Sequence, residues 1–481
     1  MRSTTIEPST TDPLPEGRAG STTQRPGFVV LWSADDPGRV GELVAMPAGS
    51  NDALLGRAHD RPRVPLMQWQ RQRPGITEPA APFVNRHVSR EQLRVRQRGA
   101  QLEILNEGRL KLRVDGRVVD SAEVSAGQLV EIAGQLLLLV VVRPDRLPPL
   151  RSTALTSSPF GRADEHGISG EGPTAWALRE QLAFVGARSD HVLVLGPSGS
   201  GKELCARALH ALSARAGRPF IARNAATLPA GLVDAEMFGN VKNYPNPGMA
   251  ERPGLVGEAD GGTLMLDEIG ELGPELQAHM LRLLDAGEYQ RLGDARVRKA
   301  DVRVIAATNR EVAELKHDLA ARFKLRIHVP GLNERREDIP LLIRALLARI
   351  AASDPAIGAR FWESWSGTSS GQPRITCRLV EALVKYDYST HARELERLLW
   401  IALSSADSDN IDLTPALEDE LGRSASGGGD TPAITREALL DCLEKNDWVI
   451  ERTWRQLRLN NRHVLRRLMK KHGVARDDDT G

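Results

Sequence analysis

The stretch HVLVLGPSGSGKELCARALH, residues 191 to 210, decides the fold of the middle of the chain. Val192 to Leu195 form a short apolar run, a glycine-rich turn follows, and Leu204, Ala208 and Leu212 then recur at helical spacing. Strand, glycine loop and helix in that order make Gly196, Pro197, Ser198, Gly199, Ser200, Gly201, Lys202 and Glu203 a candidate phosphate-binding loop. The glycines let backbone N–H groups turn toward phosphate oxygens, the helix N-terminus adds positive potential, and Lys202 supplies a charge for the terminal phosphates. Glu203 stands where a magnesium-binding Ser or Thr is usual.

Outward from this loop, strand-like VLVLG (192 to 196), FIARN (220 to 224), TLMLDE (263 to 268) and VRVIAATN (302 to 309) alternate with helical stretches at 201 to 215 and 274 to 286. That rhythm predicts an α/β domain on a parallel sheet, here residues 166–335. Asp267 and Glu268 end an apolar strand, where two carboxylates are costly unless a cation or water chemistry uses them. The spacing assigns Asp267 to Mg²⁺, directly or through water, and Glu268 to orienting and deprotonating an attacking water. Thr308 and Asn309 end the next β run and are placed to sense a γ-phosphate. The pattern then turns helical, residues 336–421, and a Ser/Gly tether at 422–431 leads to three short helices at 432–476.

Composition sets the outer limits. A chain of 481 residues with 41% hydrophobic content holds two to four domains of ordinary globular type. Its longest apolar run, Leu136 to Val142, is far short of the ~20 residues that span a bilayer, and no signal-peptide pattern opens the chain. The expectation is a cytoplasmic protein with no membrane partner. Cys205, Cys377 and Cys442 lie far apart without metal-ligand spacing and read as reduced thiols. The formal charge of +1 conceals a basic C-terminal segment, with nine Arg or Lys and one acid between Glu451 and Arg476, which points to nucleic acid.

The blocks GPSGSGKELCARALHALSAR, FIARNAATLPAGLVDAEMFG, GEADGGTLMLDEIGEL, RVIAATNRE and NERREDIPLLI, in this order and with these gaps, resemble the AAA+ domain of bacterial enhancer-binding proteins, the sigma-54-dependent transcriptional activators. The resemblance covers residues 166 to 420. It implies ATP and Mg²⁺ as cofactors and a homo-oligomeric ring with ATP sites between subunits. In that family Glu follows the loop lysine, as Glu203 does here. Asn224 matches the switch asparagine that holds the catalytic glutamate, Arg322 the arginine that completes a neighbour's site, and Arg393 the sensor arginine of the helical lid. A second arginine of the Arg322 block appears as Lys316, which keeps the charge and loses the guanidinium fork. Family members also carry a Gly-Ala-Phe-Thr-Gly-Ala loop that contacts the sigma factor. Aligning Phe238, Gly239 and Lys242 puts NYPNPG, residues 243 to 248, in its place. Two prolines fix φ and remove two N–H donors, so a stiffer loop of different shape is expected, with its aromatic moved to Tyr244.

Residues 1–26, rich in Thr, Ser, Pro and Gly, read as a disordered tail. Short apolar runs punctuated by Gly, Pro and Asp from Gly27 onward predict an all-β module over 27–146, with a linker at 147–165. The module resembles a forkhead-associated (FHA) domain in LLGR (54 to 57) and HVSREQL (87 to 93), which implies Arg57, Ser89 and Arg90 as phosphothreonine-binding candidates. Gln92 replaces the usual His of that family, and Leu110 an Asn. At the other end, Trp454 and Leu457, the turn at Asn460-Asn461, and the stripe Val464, Leu465, Leu468, Met469 predict a helix-turn-helix. Arg462, His463, Arg466, Arg467 and Lys470 are left outward as DNA-binding candidates, and the segment resembles Fis-type DNA-binding domains.

The expected chain is therefore multidomain: an N-terminal all-β FHA-like sandwich, a central α/β AAA+ P-loop ATPase with a helical lid, and a C-terminal all-α helix-turn-helix. Its implied partners are upstream DNA, sigma-54 RNA polymerase, a phosphothreonine protein and further copies of itself. NYPNPG keeps a second reading open, a DNA-binding regulator that uses ATP to oligomerise without acting on sigma-54.

Overall fold

The computed structural model describes residues 24–60, 62–150, 158–227, 232–244, 246–364, 371–426, 436–446 and 448–457, together with 465, 468, 469, 472 and 474. The chain divides into two compact units, residues 1–345 and 346–481.

The first unit begins with twelve strands: β1 (Gln24–Ser33), β2 (Leu43–Ala45), β3 (Asp52–Leu55), β4 (Gln68–Arg73), β5 (Ile76–Pro79), β6 (Leu93–Arg98), β7 (Gln101–Asn106), β8 (Leu112–Val114), β9 (Arg117–Val119), β10 (Ser121–Val124), β11 (Leu129–Ile132) and β12 (Leu136–Pro144). They form antiparallel sheets of order β5-β4-β2-β1-β12-β11-β8-β9 and β10-β7-β6-β3. Alternation builds the core between them. Phe28 and Val30, Val130 and Ile132, and Leu136, Leu138 and Val140 face Ala53 and Leu55, Leu93 and Val95, and Leu102 and Ile104. The β run begins at Gln24, inside the stretch expected to be disordered up to residue 26. The β4–β5 hairpin, between LLGR and HVSREQL, is polar along much of its length and has no signal in apolar alternation.

Leu137 and Leu139 on the opposite face of β12 are buried as well. Elements from later in the chain reach this sheet. Arg73 forks onto Glu171 at 2.5 and 3.0 Å and donates to the Ser158 carbonyl at 2.7 Å. Arg143 pairs with Glu337, and Arg344 donates to the Pro37 carbonyl at 3.2 Å. Residues 158–165, expected to be part of a linker, are ordered in this contact, with Gly161 N–H donating to Glu171 at 2.8 Å. At its centre lies Asp338, fully buried, which accepts N–H groups of Glu171 and Gly172 at 2.9 and 2.8 Å. Burial first, and the Glu337 charge second, push its carboxyl up to about 6.

The unit continues with α1 (Pro173–Gly186), β13 (Val192–Leu195), α2 (Lys202–Ala211), β14 (Phe220–Asn224), α3 (Val233–Phe238), α4 (Gly254–Glu258), β15 (Thr263–Asp267), α5 (Pro274–Ala286), the small hairpin β16 (Glu288–Tyr289) and β17 (Arg298–Lys299), β18 (Arg303–Thr308), α6 (His317–Arg322) and β19 (Leu325–His328). The five long strands form a parallel sheet of order β14-β15-β18-β13-β19. Both faces are covered by helices, which is why its strands read as continuous apolar runs. Arg303 opens β18 almost fully buried, without an ion pair to a carboxylate among the described residues. It donates instead to the carbonyls of Val185 (2.8 Å), Gly186 (3.1 Å), Asp190 (3.2 Å) and Leu209 (3.5 Å), pinning the ends of α1 and α2 to the sheet.

The second unit is helical. It holds most of α7 (Ile339–Ser353), then α8 (Pro355–Phe361), the short pair β20 (Trp362–Glu363) and β21 (Gln372–Pro373), α9 (Cys377–Lys385), α10 (His391–Ser404), α11 (Pro415–Ser426), α12 (Arg436–Lys445) and α13 (Ile450–Gln456). The last two gather Leu439, Leu443, Leu465 and Val474 into a small core with Trp454, Leu457, Leu468 and Met469 packed on it. The three cysteines are buried free thiols.

Replacing Arg303 by Met removes the guanidinium from all four carbonyls, of which Val185 keeps the Arg188 N–H at 3.1 Å. Chemical denaturation is expected to show the variant less stable by about 2–4 kcal/mol, and a loss below ~1 kcal/mol would show that water replaces the guanidinium.

Candidate functional site

Parallel register sets the strand ends side by side. Asn224 pairs with Asp267, Leu266 with Ala306, and Leu195 with both Thr308 and His328. The carboxyl edge of the sheet therefore carries Asn224 and Asp267 side by side and Thr308 one residue further along its own strand, with the glycine loop leaving β13 next to Thr308. In open α/β sheets that edge is where ligands bind.

The loop is held tightly. Gly196 N–H donates to the Thr308 carbonyl at 3.3 Å, and Val329 N–H to the Leu195 carbonyl at 2.7 Å. A Cβ on Gly196 would lie 2.5 Å from the Val329 oxygen, so only glycine fits there. Gly201, at φ +100°, turns the chain into α2. Lys202 is buried with Nζ donating to the carbonyls of Gly196 and Pro197 at 3.0 and 3.2 Å, which folds the ammonium back over the loop. The Ser200 hydroxyl is buried without a hydrogen-bond partner. An orphaned donor beside an ammonium and a helix N-terminus fits a polyanionic phosphate group. Glu203 is turned away from the loop into a surface ion pair with Arg207 at 2.8 Å, so its side chain is not part of the cradle.

Asp267 and Glu268 are half-buried at the end of β15. Asp267 Oδ1 accepts the Glu268 N–H at 3.0 Å, and Glu268 has φ +55° and ψ +46°, left-handed geometry that costs a non-glycine residue roughly 1 kcal/mol or more. Asn224 lies on the neighbouring strand, with its carboxamide oxygen accepting the Ala226 N–H at 2.9 Å. Thr308 is fully buried and its hydroxyl accepts the Arg310 N–H at 3.1 Å, whereas Asn309 is exposed. Arg310, which sequence reading did not single out, pairs with Glu271 just beyond Glu268.

Arg322 ends α6 on the surface, its guanidinium against Asp285 of α5 at 2.9 to 3.3 Å. That hydrogen bond and charge hold its pKa above the usual arginine value. Lys316 caps the start of the same helix. Arg393 is exposed near the start of α10, in the second unit.

The described residues of NYPNPG, 243, 244 and 246–248, are tied to their neighbours by hydrogen bonds. Asn240 is buried and its amide donates to the carbonyls of Val241, Tyr244 and Ala250 at 3.0 to 3.2 Å. Asn243, at φ +64°, receives the Gly248 N–H at 3.0 Å and donates its own to Met249 at 2.8 Å. Tyr244 packs on Gly293 between β16 and β17 so closely that a Cβ there would lie 2.5 Å from Tyr244 Cγ.

In the β module, Ser89 Oγ accepts the Arg109 N–H at 3.2 Å, and Arg57 N–H donates to the Ser89 carbonyl at 2.9 Å. Arg90 is exposed. Gln92 is fully buried and ties three loops together, taking the Ser89 N–H at 3.3 Å and donating to Asn106 Oδ1 at 2.8 Å and the Leu110 carbonyl at 3.0 Å. Arg462, His463, Arg466, Arg467 and Lys470 lie outside the described residues.

A parallel sheet with a glycine loop leading into a helix, and an acidic pair at the next-but-one strand end, defines a P-loop NTPase core of AAA+ type. Residues 168–330 match the Sigma-54 interaction domain family. The chain is 34% identical over 324 residues to the transcriptional regulatory protein ZraR of Salmonella typhimurium, covering 65% of this chain and 70% of that one. It is 42% identical over 262 residues to the Nif-specific regulatory protein of Bradyrhizobium diazoefficiens, covering 53% of this chain and only 41% of that relative. Among solved structures, NtrX from Brucella abortus in complex with ADP is similar at 27% identity and a TM-score of 0.46, over 65% of this chain and 70% of that one. The chain belongs to the family of transcriptional regulators built around a sigma-54 interaction domain.

Gly196→Ala pushes a methyl group against the Val329 carbonyl and deforms the loop. Titration with a fluorescent ATP analogue is expected to show affinity reduced by about tenfold or more, with far-UV circular dichroism unchanged; equal affinity would contradict the cradle described here.

Proposed function

We propose that the chain is an ATP-hydrolysing, sigma-54-dependent regulator that assembles as a ring on upstream DNA and remodels RNA polymerase holoenzyme under the control of its β module. The observation that carries this reading is the register that brings Asn224, Asp267 and Thr308 to the same carboxyl edge as the glycine loop.

ATP sits with its phosphates in the Gly196 to Lys202 loop. Lys202 exchanges its loop carbonyls for the β- and γ-phosphates, and the Ser200 hydroxyl gains a partner. The half-buried Asp267 carboxylate at the strand end fits Mg²⁺ and would hold it, and the ion would supply charge neutralisation at the phosphates. Glu268 takes a proton from the attacking water. Asn224 lies one strand away and restrains Glu268 until the γ-phosphate arrives, and Thr308 and Asn309 report that phosphate. Arg322 leaves Asp285 to complete the site of a neighbouring copy, and Arg393 closes the lid over the nucleotide. The β module acts as an FHA domain through Arg57, Ser89 and Arg90, and residues 432–476 act as a Fis-type helix-turn-helix.

Glu268→Gln keeps shape and hydrogen bonding but cannot take a proton. We expect it to bind ATP with affinity close to that of the parent and to lose turnover by about 10²-fold or more; unchanged turnover would remove Glu268 from its role.

The hydrogen bonds that tie Asn243, Tyr244 and Gly248 to their surroundings favour a second reading, in which the nucleotide sets only the oligomeric state. Open-complex formation with purified sigma-54 polymerase and ATP separates the two. Activity of the native chain supports remodelling, whereas activity only after Gly-Ala-Phe-Thr-Gly-Ala is grafted into 243–248 supports the alternative.

A further inference from the structure

Asp285 stands where its own helix disfavours it. It lies in the last turn of α5, where the partial negative charge of the helix C-terminus repels a carboxylate. Arg282, one turn earlier on α5, forms no ion pair with it among the described residues. Asp285 is joined instead to Arg322 of α6, whose Nε donates to Oδ1 at 2.9 Å and to Oδ2 at 3.3 Å and whose Nη2 donates to Oδ2 at 3.2 Å. An acid that works against its own helix and is forked by an arginine from another is explained by the pairing, not by the needs of α5.

The carboxylate sits on a fixed post. Leu283 and Leu284 beside it are buried in the core. The Leu284 carbonyl lies 3.2 Å from His191 Nε2, and His191 Nδ1 accepts the Val304 N–H of β18 at 3.0 Å, a pair of contacts that selects the neutral ring with its proton on Nε2. Gly287 closes the helix, and its carbonyl accepts the Ala300 N–H at 2.9 Å. Arg322 is the opposite case, a long rotatable side chain at the end of a short helix, with its Nη1 only 3.4 Å from the Asp318 carbonyl as a further tie. The fork therefore places the mobile partner by means of the fixed one. It occupies the Nε–Nη2 edge of the guanidinium, and an edge of that kind is what arginine offers a phosphate in a bidentate grip, so Asp285 and a phosphate exclude one another there.

We propose that Asp285 is a positioning residue, the resting partner that keeps Arg322 on its own chain until the triphosphate held by a neighbouring copy takes the guanidinium in its place. The proposal rests on reading Arg322 as the arginine that completes a neighbour's site. The strength of the pair suits an exchange. Its side chains are 36% and 51% exposed, and an ion pair that open to water shifts an equilibrium by no more than about fivefold, which a polyphosphate readily outcompetes. α5 also follows the Asp267 and Glu268 pair along the chain, so one helix leads from a subunit's own hydrolytic residues to the arginine it lends.

The test uses the full chain with Asp285→Asn, Asp285→Glu, Arg322→Ala and the double variant Asp285→Asn, Arg322→Ala. ATP turnover is measured against ATP and against chain concentration, and self-association with a non-hydrolysable ATP analogue is followed by sedimentation velocity. Removing the resting partner should lower the half-saturating ATP and chain concentrations of Asp285→Asn by about two- to fivefold, with the maximal rate within about twofold of the parent. Asp285→Glu, which keeps the charge, should behave as the parent. In the Arg322→Ala background Asp285→Asn should no longer move the self-association midpoint, because the residue acts through the arginine. Unchanged half-saturating concentrations, a lower maximal rate, or a shift that persists without Arg322 overturns the role of Asp285, and a melting temperature equal to that of the parent confirms that the fold is intact in each comparison. Loss of turnover in Arg322→Ala leaves the reading of the arginine standing in all of these cases, whereas parental turnover in Arg322→Ala removes that reading and the proposal with it.

Discussion

The parallel hydrogen bonding of β13 with β18, Leu195 opposite Thr308, is the constraint on which the nucleotide site depends. It fixes the height at which the glycine loop leaves the sheet, and the adjoining β15 and β14 bring Asp267 and Asn224 to the same edge. A one-residue slip would turn every side chain of a strand to the other face and bury Asp267 among helices. The slip is resisted by the apolar core on both faces and by Arg303, whose guanidinium ties the amino end of β18 to the ends of α1 and α2. Chemistry at one edge of the sheet is thus held in place by a buried cation at the other.

A second set of constraints joins the β module to the ATPase core. Arg73 and Arg143 pair with Glu171 and Glu337, Asp338 accepts the backbone N–H groups of Glu171 and Gly172, and Arg344 donates to the Pro37 carbonyl. Buried ion pairs contribute modestly to net stability but are costly to break one partner at a time, so they define a relative position more than they strengthen it.

The phosphate loop is legible in sequence because its glycines, lysine and flanking periodicity are all local. The acidic pair is equally legible, since two carboxylates after TLML break an apolar run. Helix α5 matches its expected span because a proline opens it and Gly287 closes it in left-handed geometry. What is not legible is long-range. Arg303 looks like an ordinary strand-end arginine until four carbonyls from other elements are seen to surround it. Gln92, a departure from the family pattern, becomes intelligible only as a tie between loops distant in sequence. The β4–β5 hairpin escapes because Gln68 to Arg73 is polar, its inward Trp69 being a single signal. Residues 158–165 read as linker because their order comes from contacts with Arg73 and Glu171, not from their own propensities.

The central claim is that each hydrolytic site combines Glu268 of one copy with Arg322 of another. Mixing Glu268→Gln and Arg322→Ala chains tests it directly, because each carries the half that the other lacks. The account predicts that ATP turnover of the equimolar mixture clearly exceeds the summed turnover of the two variants measured alone, through interfaces that pair an intact Glu268 with an intact Arg322. A mixture no more active than that sum, under conditions where the chains are shown to co-assemble, would contradict it.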